Sequence, residues 1–305
     1  MRAVVIGYGS IGKRHIEILN RIGCNVSAIS NRQIDYTKAY HDLRECINIE
    51  NPQYVVVANK TSNHYETLKV LQENKYKGIV LIEKPIFEKV YTFSKDDCLN
   101  NVFVGYNLRF HPLILELQEI LKNEKVISAN IYVGQYLPLW RPTDDYRKSY
   151  SAKEAEGGGV LGDLSHELDY MQWLLGNWRR LSAIGGHFSD LEIDSEDTIS
   201  VLLETERCPN VCIHMNYLDR CPNRKIIINT LGKTIIVDLI NNYIQVNEQI
   251  KKINIERNDT YTAQHEAVLA KKFQCLCTLD EGLKTVKLIE TIKTAIQTKG
   301  WVVND

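Results

Sequence analysis

The sequence predicts two domains: an α/β domain with a doubly wound parallel sheet, then an α+β domain with a mostly antiparallel, open sheet. Three observations carry this. Short β-branched runs alternate with helix-period stretches through the first third of the chain, the pattern of a parallel sheet with helical crossovers. Beyond Pro112 the strands lengthen and alternate in polarity, and tight turns join them. At 305 residues the chain exceeds what one compact core usually fills. The expected domains are residues 1–115 and 116–305, with the boundary between Pro112 and Lys125.

The first strand is Arg2–Ile6, an apolar run suited to burial on both faces. Gly7-Tyr8-Gly9-Ser10-Ile11-Gly12 follows at once. A helical pattern comes next, with Ile11, His15, Ile16, Ile18, Leu19 and Ile22 near one face. Further strands are read at Asn25–Ser30, Tyr54–Ala58, Gly78–Ile82 and Val102–Tyr106, and helices at Tyr40–Cys46 and Tyr65–Asn74.

In the second half, a helix at Leu113–Asn123 precedes strands at Val126–Leu137, Leu181–Phe188, Thr198–Thr205, Val211–Leu218, Lys225–Leu231 and Lys233–Leu239. Turns such as Cys208-Pro209-Asn210 and Leu231-Gly232-Lys233 join neighbours. Between the first two of these strands lies an insert, Pro138 to Gly159. It holds Trp140, Arg141, Asp144, Asp145, Tyr146, Arg147 and Tyr150, and ends in Gly157-Gly158-Gly159. Leu161, Leu164, Leu168, Met171, Leu174 and Leu175 then recur at helical spacing up to Gly176. On that single expected helix Asp163, His166 and Asp169 share one side.

Lys and Arg number 37 against 38 Asp and Glu, a formal net charge of −1. That balance argues against a non-specific nucleic-acid binder. No run of about 20 apolar residues occurs, so no transmembrane helix is expected. The start lacks the apolar core of a signal peptide. The cysteines (24, 46, 98, 208, 212, 221, 275 and 277) are scattered, as in a reduced cytoplasmic protein. Neither close group has Cys-x-x-Cys spacing, so no metal is expected.

Strand, glycine turn and helix together form the context in which G-x-G-x-x-G binds a dinucleotide. Gly7 would allow the tight turn, Gly9 the approach of a pyrophosphate, and Gly12 close packing of helix on strand. Ser10 and Ile11 would present N–H groups at the helix start. The plain alternative is a glycine-rich turn without a ligand. The second strand ends Ser30-Asn31-Arg32, with no acidic residue before Asp35. A hydroxyl and a guanidinium there suit a 2′-phosphate and favour NADP over NAD. In the alternative, Asp35 holds the ribose of NAD. Other strand ends would also line the cofactor: Asn59, Asn63 and His64, then Glu83 and Lys84, then Asn107.

Taken in order, these motifs resemble the Gfo/Idh/MocA family of nicotinamide-dependent oxidoreductases. The resemblance rests on Gly7-x-Gly9-x-x-Gly12, Asn63-His64, Glu83-Lys84-Pro85, Asn107-x-Arg109-Phe110-x-Pro112, and Gly157-Gly158-Gly159 leading to Asp163, His166 and Asp169. It covers nearly the whole chain, and its specificity lies in the order of the motifs. It implies a Rossmann domain and a second domain whose sheet forms a homo-oligomer, a dimer or tetramer. It further implies that Lys84 sits beside the nicotinamide and the reacting hydroxyl, that His166 is the catalytic histidine, and that Asp163 is its partner. Many members place the aspartate four positions before the histidine; here the separation is three.

The chemistry agrees with those roles. Oxidising an alcohol removes a proton as hydride leaves, and imidazole titrates in the right range for that. A lysine beside the oxygen stabilises a developing alkoxide. Arg109, Tyr146, Arg147 and Tyr150 are the expected substrate contacts, with Asp163 and His166. Aromatic faces and a guanidinium suit a sugar ring bearing a carboxylate or phosphate. The expected reaction interconverts a secondary hydroxyl and a ketone of a sugar, cyclitol or nucleotide sugar. Two rivals stand beside it: a glycosidase that uses NAD transiently, and a regulatory protein that senses NADP(H).

Overall fold

Four of the five residues of β1 (Arg2–Ile6) are buried, as the apolar run requires. From there the chain proceeds through α1 (Ser10–Arg21), β2 (Asn25–Ile29), β3 (Ala39–Tyr40), α2 (Leu43–Glu50), β4 (Tyr54–Val57), α3 (His64–Glu73), β5 (Ile79–Ile82) and β6 (Val102–Val104). Then come α4 (Pro112–Leu121), β7 (Val126–Gly134), α5 (Val160–Asp163), α6 (His166–Leu175), β8 (Trp178–Gly186), β9 (Thr198–Thr205) and β10 (Val211–Asn216). The chain ends with β11 (Asn223–Thr230), β12 (Thr234–Asp238), β13 (Tyr243–Val246), β14 (Gln249–Lys252), α7 (Asp259–Leu269), β15 (Cys277–Thr278), α8 (Leu279–Thr298) and β16 (Val302–Val303). The structure is a computed structural model and describes residues 1–91 and 101–304. Cys98 lies outside the described residues.

Two compact units form. The first comprises Met1–Phe110 and Arg257–Val286, the second His111–Glu256 and Lys287–Asp305. The first unit thus recovers a late stretch of chain, α7 and the start of α8, which a single boundary near residue 115 does not provide for.

The first unit holds a seven-stranded sheet in the order β15-β6-β5-β4-β1-β2-β3. Every described pairing is parallel except that of β15 with β6. Alternate residues feed opposite faces. Val4, Ile6, Val55, Val57, Val80 and Ile82 join one buried cluster with Leu68 and Leu71 of α3. Ala3, Val5, Val56 and Leu81 join the other with Ile16 and Leu19 of α1 and Val268 of α7. Both faces are covered, which is why these strands read as unbroken apolar runs. The order reverses between β1 and β4, and ligands in such sheets sit at the carboxyl ends beside that reversal.

The second unit holds a nine-stranded sheet in the order β14-β13-β12-β11-β7-β10-β9-β8-β16. Its pairings are antiparallel except β10 with β7. Its strands alternate, with Val126, Ala129, Ile131 and Val133 of β7 buried and Ile127 and Tyr132 exposed.

Two local readings shift. The expected helix at Tyr40–Cys46 is instead β3 followed by α2, because Asp42 caps the later start by accepting the Glu45 N–H at 2.8 Å. The expected continuous helix from Leu161 to Leu175 is two helices, broken at Leu164 and Ser165. The glycine turn anchors α5: a Cβ on Gly162 would lie 2.8 Å from the Gly157 carbonyl oxygen. A separate ion pair holds α6, where buried Glu167 accepts from Arg224 Nε at 2.8 Å and from Arg224 Nη2 at 3.0 Å.

Candidate active site

The glycine turn after β1 has the shape its sequence demands. Gly7 adopts φ +109°, and a Cβ there would lie 2.4 Å from the Ala58 carbonyl oxygen. A Cβ on Gly12 would lie 2.0 Å from the Gly7 carbonyl oxygen. Turn, helix and the end of β4 are therefore packed backbone on backbone. Gly9 differs, since a Cβ there would meet nothing within 4 Å. It caps α1, followed by Ser10 and Ile11, beside open space and the positive end of the helix dipole. An anion brought close to bare backbone fits this position, so the turn passes the test for a pyrophosphate cradle.

At the end of β2, Ser30 Oγ accepts the Arg32 N–H at 3.1 Å. His41 Nδ1 lies 2.7 Å from the Ser30 carbonyl oxygen. Asn31, Arg32 and Asp35 are exposed. At the end of β4, Asn59 Nδ2 donates to Thr67 Oγ1 at 3.0 Å, and Asn63 is exposed ahead of α3. His64 is 1% exposed, with ring nitrogens 3.0 Å from the Ile86 carbonyl oxygen and 3.2 Å from that of Asn59. Burial pushes its pKa down. So enclosed, the ring ties together the two loops that follow β4 and β5.

Lys84 leaves β5 directly after Glu83, and the Lys84–Pro85 peptide is cis. Glu83 is buried, and His15 Nε2 donates to its Oε1 at 2.9 Å. Its Oε2 accepts the Lys84 backbone N–H at 3.2 Å. Burial alone would raise this carboxyl, but the hydrogen bond from His15, with the Lys84 ammonium, outweighs it and holds it below the usual range. Glu83 is thus held from both carboxylate oxygens, as an internal anchor behind Lys84.

After β6, Asn107 is buried and donates from Nδ2 to Thr260 Oγ1 at 2.6 Å. Arg109 is 2% exposed and pairs with Glu281 at 3.1 Å. Its guanidinium is thus enclosed and held by a carboxylate of the same unit.

In the second unit the structure gathers Asp163, Tyr150 and Tyr217. Asp163 ends α5 and is buried. Its Oδ1 accepts the Tyr150 hydroxyl in a short hydrogen bond, and its Oδ2 accepts the Tyr217 hydroxyl at 2.6 Å. The Asp163 charge, then burial, raises the Tyr150 pKa far above normal; burial, then Asp163, does the same for Tyr217. Both phenols thus stay protonated and donate to one carboxylate. His166, the first residue of α6, is 9% exposed and stands beside the Glu167–Arg224 pair in sequence.

The triple glycine makes the gathering possible. Cβ atoms on Gly158 and Gly159 would lie 2.2 Å from the Tyr150 carbonyl oxygen and 2.4 Å from the Glu196 carboxyl group. The insert therefore folds back onto the start of α5 and brings Tyr150 to Asp163. The other two insert candidates turn elsewhere. Arg147 pairs with Asp145 at 2.8 Å and with Glu192 at 3.1 Å, and the Tyr146 hydroxyl accepts the Glu192 N–H at 3.3 Å. They brace the insert to the loop after β8. Tyr217, His15 and the residues behind His15 were not singled out from the sequence as site residues. His15 gave one signal, a polar ring on the apolar face of the first helix.

The comparisons agree with this architecture. A family described as the oxidoreductase family, NAD-binding Rossmann fold, matches residues 1–95, and the GFO/IDH/MocA C-terminal domain matches residues 122–234. Among curated proteins nothing matches. Among solved structures, GenD2 from gentamicin A biosynthesis, in complex with NAD, is 17% identical with a TM-score of 0.82; 100% of this chain and 96% of that one are covered. Levoglucosan dehydrogenase in complex with NADH is 15% identical at a TM-score of 0.82, covering 99% of this chain and 98% of that one. An oxidoreductase from Thermotoga maritima is 18% identical at a TM-score of 0.83, with 99% and 98% covered. At these identities the likeness shows a shared fold.

Proposed function

Because the chain belongs to the Gfo/Idh/MocA family of NAD-binding oxidoreductases, we propose that it interconverts a secondary hydroxyl and a ketone of a sugar, cyclitol or nucleotide sugar. One observation carries this reading. The glycine turn after β1 and Lys84 after β5 leave the same carboxyl edge of one parallel sheet, and Gly9 keeps its bare backbone open there. Residues from Gly7 to Gly12 would hold the pyrophosphate. A bound nicotinamide would supply the hydride acceptor or donor.

Lys84 stabilises charge on the substrate oxygen during oxidation, or polarises the carbonyl in the reverse direction. His166 takes the hydroxyl proton or returns it. Asp163, held by two phenols, supplies a fixed negative charge in the second unit, and half-exposed Tyr150 is the substrate-facing member of that trio. At the adenosine end, Ser30 and Arg32, with no acid before Asp35, favour NADP(H), although two of the solved relatives hold NAD or NADH. Ile184, Leu202 and Tyr132 are exposed on the nine-stranded sheet at 76%, 43% and 36%. They support pairing of copies through that face, which light scattering of the wild type and Ile184→Lys would test. No described helix is long and apolar enough to cross a membrane, and the described cysteines are free thiols.

The test is to titrate NADPH and NADH separately, then to follow nicotinamide absorbance against a panel of sugars, cyclitols and nucleotide sugars. Turnover with stoichiometric change in absorbance supports the proposal. Glycoside cleavage without net cofactor reduction would replace it with the transient-NAD reading. Cofactor binding without any turnover would favour a sensor.

A further inference from the structure

Behind Lys84 lies a chain of buried polar side chains. His15 Nε2 is 2.9 Å from Glu83 Oε1, and His15 Nδ1 is 2.8 Å from His265 Nε2. His265 Nδ1 is 2.9 Å from the Tyr54 hydroxyl. His15, His265 and Tyr54 are all 0% exposed. Gly105 leaves room for the carboxylate, since a Cβ there would approach Glu83 Oε1 to 3.1 Å. The edge of Tyr261 packs on His15, and Arg14 covers Tyr261.

The chain has a direction. A carboxylate only accepts, so His15 Nε2 carries a hydrogen. With a neutral ring, His15 Nδ1 accepts from His265 Nε2–H, and His265 Nδ1 accepts from the Tyr54 hydroxyl. Every group is then matched with one negative charge, on Glu83. The opposite direction needs a buried imidazolium and turns the Tyr54 hydrogen away from His265. Burial depresses the pKa of His265, which suits a neutral ring there. Tyr54 is enclosed within β4, so the chain does not open to solvent and serves as a fixed support.

Its placement is informative. In the sheet order β4 separates β5, which leads to Lys84, from β1, which leads to α1. No strand pairing links the two directly. The polar chain does, joining α1, the end of β5, α7 and β4. Hydride transfer loses rate steeply when the reacting groups are misplaced by about 1 Å.

We propose that His15, His265 and Tyr54 are positioning residues that clamp Glu83, and through it Lys84, to the helix that cradles the cofactor phosphates. This rests on the roles given above to Lys84 and the glycine turn. Glu83 acts twice: it holds the Lys84 backbone N–H and keeps a carboxylate beside the Lys84 ammonium. The groups facing that carboxylate are His15, Lys84 and the bare Cα of Gly105, with His265, Tyr54, Tyr261 and Arg14 behind His15.

The experiment uses the full chain with 15N-labelled histidine and, separately, 13C-dimethylated lysine, with Lys84 assigned through Lys84→Arg. Wild type is expected to show His15 and His265 as single Nε2–H tautomers at neutral pH. In Tyr54→Phe, which leaves Glu83 and Lys84 in place, His265 is expected to keep its Nε2–H, still held by His15 Nδ1, while its Nδ1 resonance shifts to that of an acceptor without a donor. In Glu83→Gln, the proton affinity of Lys84 is expected to fall about tenfold or more, the effect of removing an adjacent opposite charge. Affinity for whichever of NADH and NADPH wild type binds should change by less than about tenfold in Glu83→Gln. An imidazolium or Nδ1–H tautomer at His15 overturns the proposal, as does an unchanged His265 Nδ1 resonance in Tyr54→Phe. So does an unaltered Lys84 in folded Glu83→Gln, or loss there of binding to the nucleotide that wild type takes up. If Glu83→Gln does not fold, the histidine spectra decide. If wild type binds neither NADH nor NADPH, the functional reading fails, while the tautomers still judge the clamp.

Discussion

Tyr217 donates its hydroxyl hydrogen to Asp163 Oδ2 across 2.6 Å, and Tyr150 donates to the other oxygen of the same carboxylate. Asp163 ends α5, Tyr217 follows β10, and Tyr150 belongs to the insert, so one carboxylate ties three segments together. Removing the Tyr217 hydroxyl leaves a buried charged oxygen short of a donor. Tyr217→Phe is expected to lose about 1–3 kcal/mol of stability in urea unfolding. A variant as stable as wild type would show that Asp163 does not depend on this donor.

Lys84 is expected to matter to the reaction and little to cofactor affinity. Lys84→Met removes the ammonium but leaves the glycine turn untouched. Once a substrate is found, its kcat should fall by about a hundredfold or more, the scale of losing one preorganised electrostatic partner. The Kd for the nicotinamide cofactor should stay within about tenfold of wild type. Equal loss in both would place Lys84 in cofactor binding.

Arg32 tests the choice of cofactor. It is exposed, next to Ser30, with no acidic neighbour before Asp35. Arg32→Ala should weaken NADPH by about tenfold, the value of one lost charge-assisted contact, and leave NADH nearly unchanged. Equal effects on both, or none, would return the ribose to Asp35 and NAD.

His111 gives the fold a dependence on pH. It caps α4 by accepting the Leu113 N–H at 3.2 Å, and burial, followed by the charge of Arg224, lowers its pKa to about 4. Unfolded, the ring titrates near about 6.5. Below that pH the unfolded chain gains a proton that the folded chain refuses. The contribution of His111 is thus complete above about pH 6.5 and is lost as the pH falls toward about 4. In His111→Asn, which keeps a cap, urea midpoints measured across that window should fall less steeply than in wild type. Parallel curves would contradict this.

Much of this was legible because it depends on short-range rules. Gly7 and Gly12 announced a tight turn with its helix packed closely on the strand, and the unbroken apolar runs announced a sheet covered on both faces. The strand at Thr198–Thr205 was readable to the residue because its polarity alternates cleanly. Contacts between distant segments were not legible. Nothing local to Arg109 reveals Glu281, and nothing local to His15 reveals His265, 250 positions away. The spacing of Asp163 and His166 suited one helix, but the packing of the triple glycine on Tyr150 and Ser151 set two.

The central claim is that open backbone at Gly9 receives the phosphates of a nicotinamide cofactor. The most direct measurement is a fluorescence titration of NADH and NADPH against wild type and Gly9→Val, with unfolding measured on both. Gly9 has φ −78°, and a Cβ there meets no protein atom within 4 Å, so the variant should be as stable as wild type to within about 0.5 kcal/mol. Wild type should saturate below about 1 mM with at least one of the two nucleotides, and the variant should bind it about tenfold more weakly or worse. Wild type that takes up neither nucleotide at that concentration, or a variant that binds as well as wild type, would contradict the account.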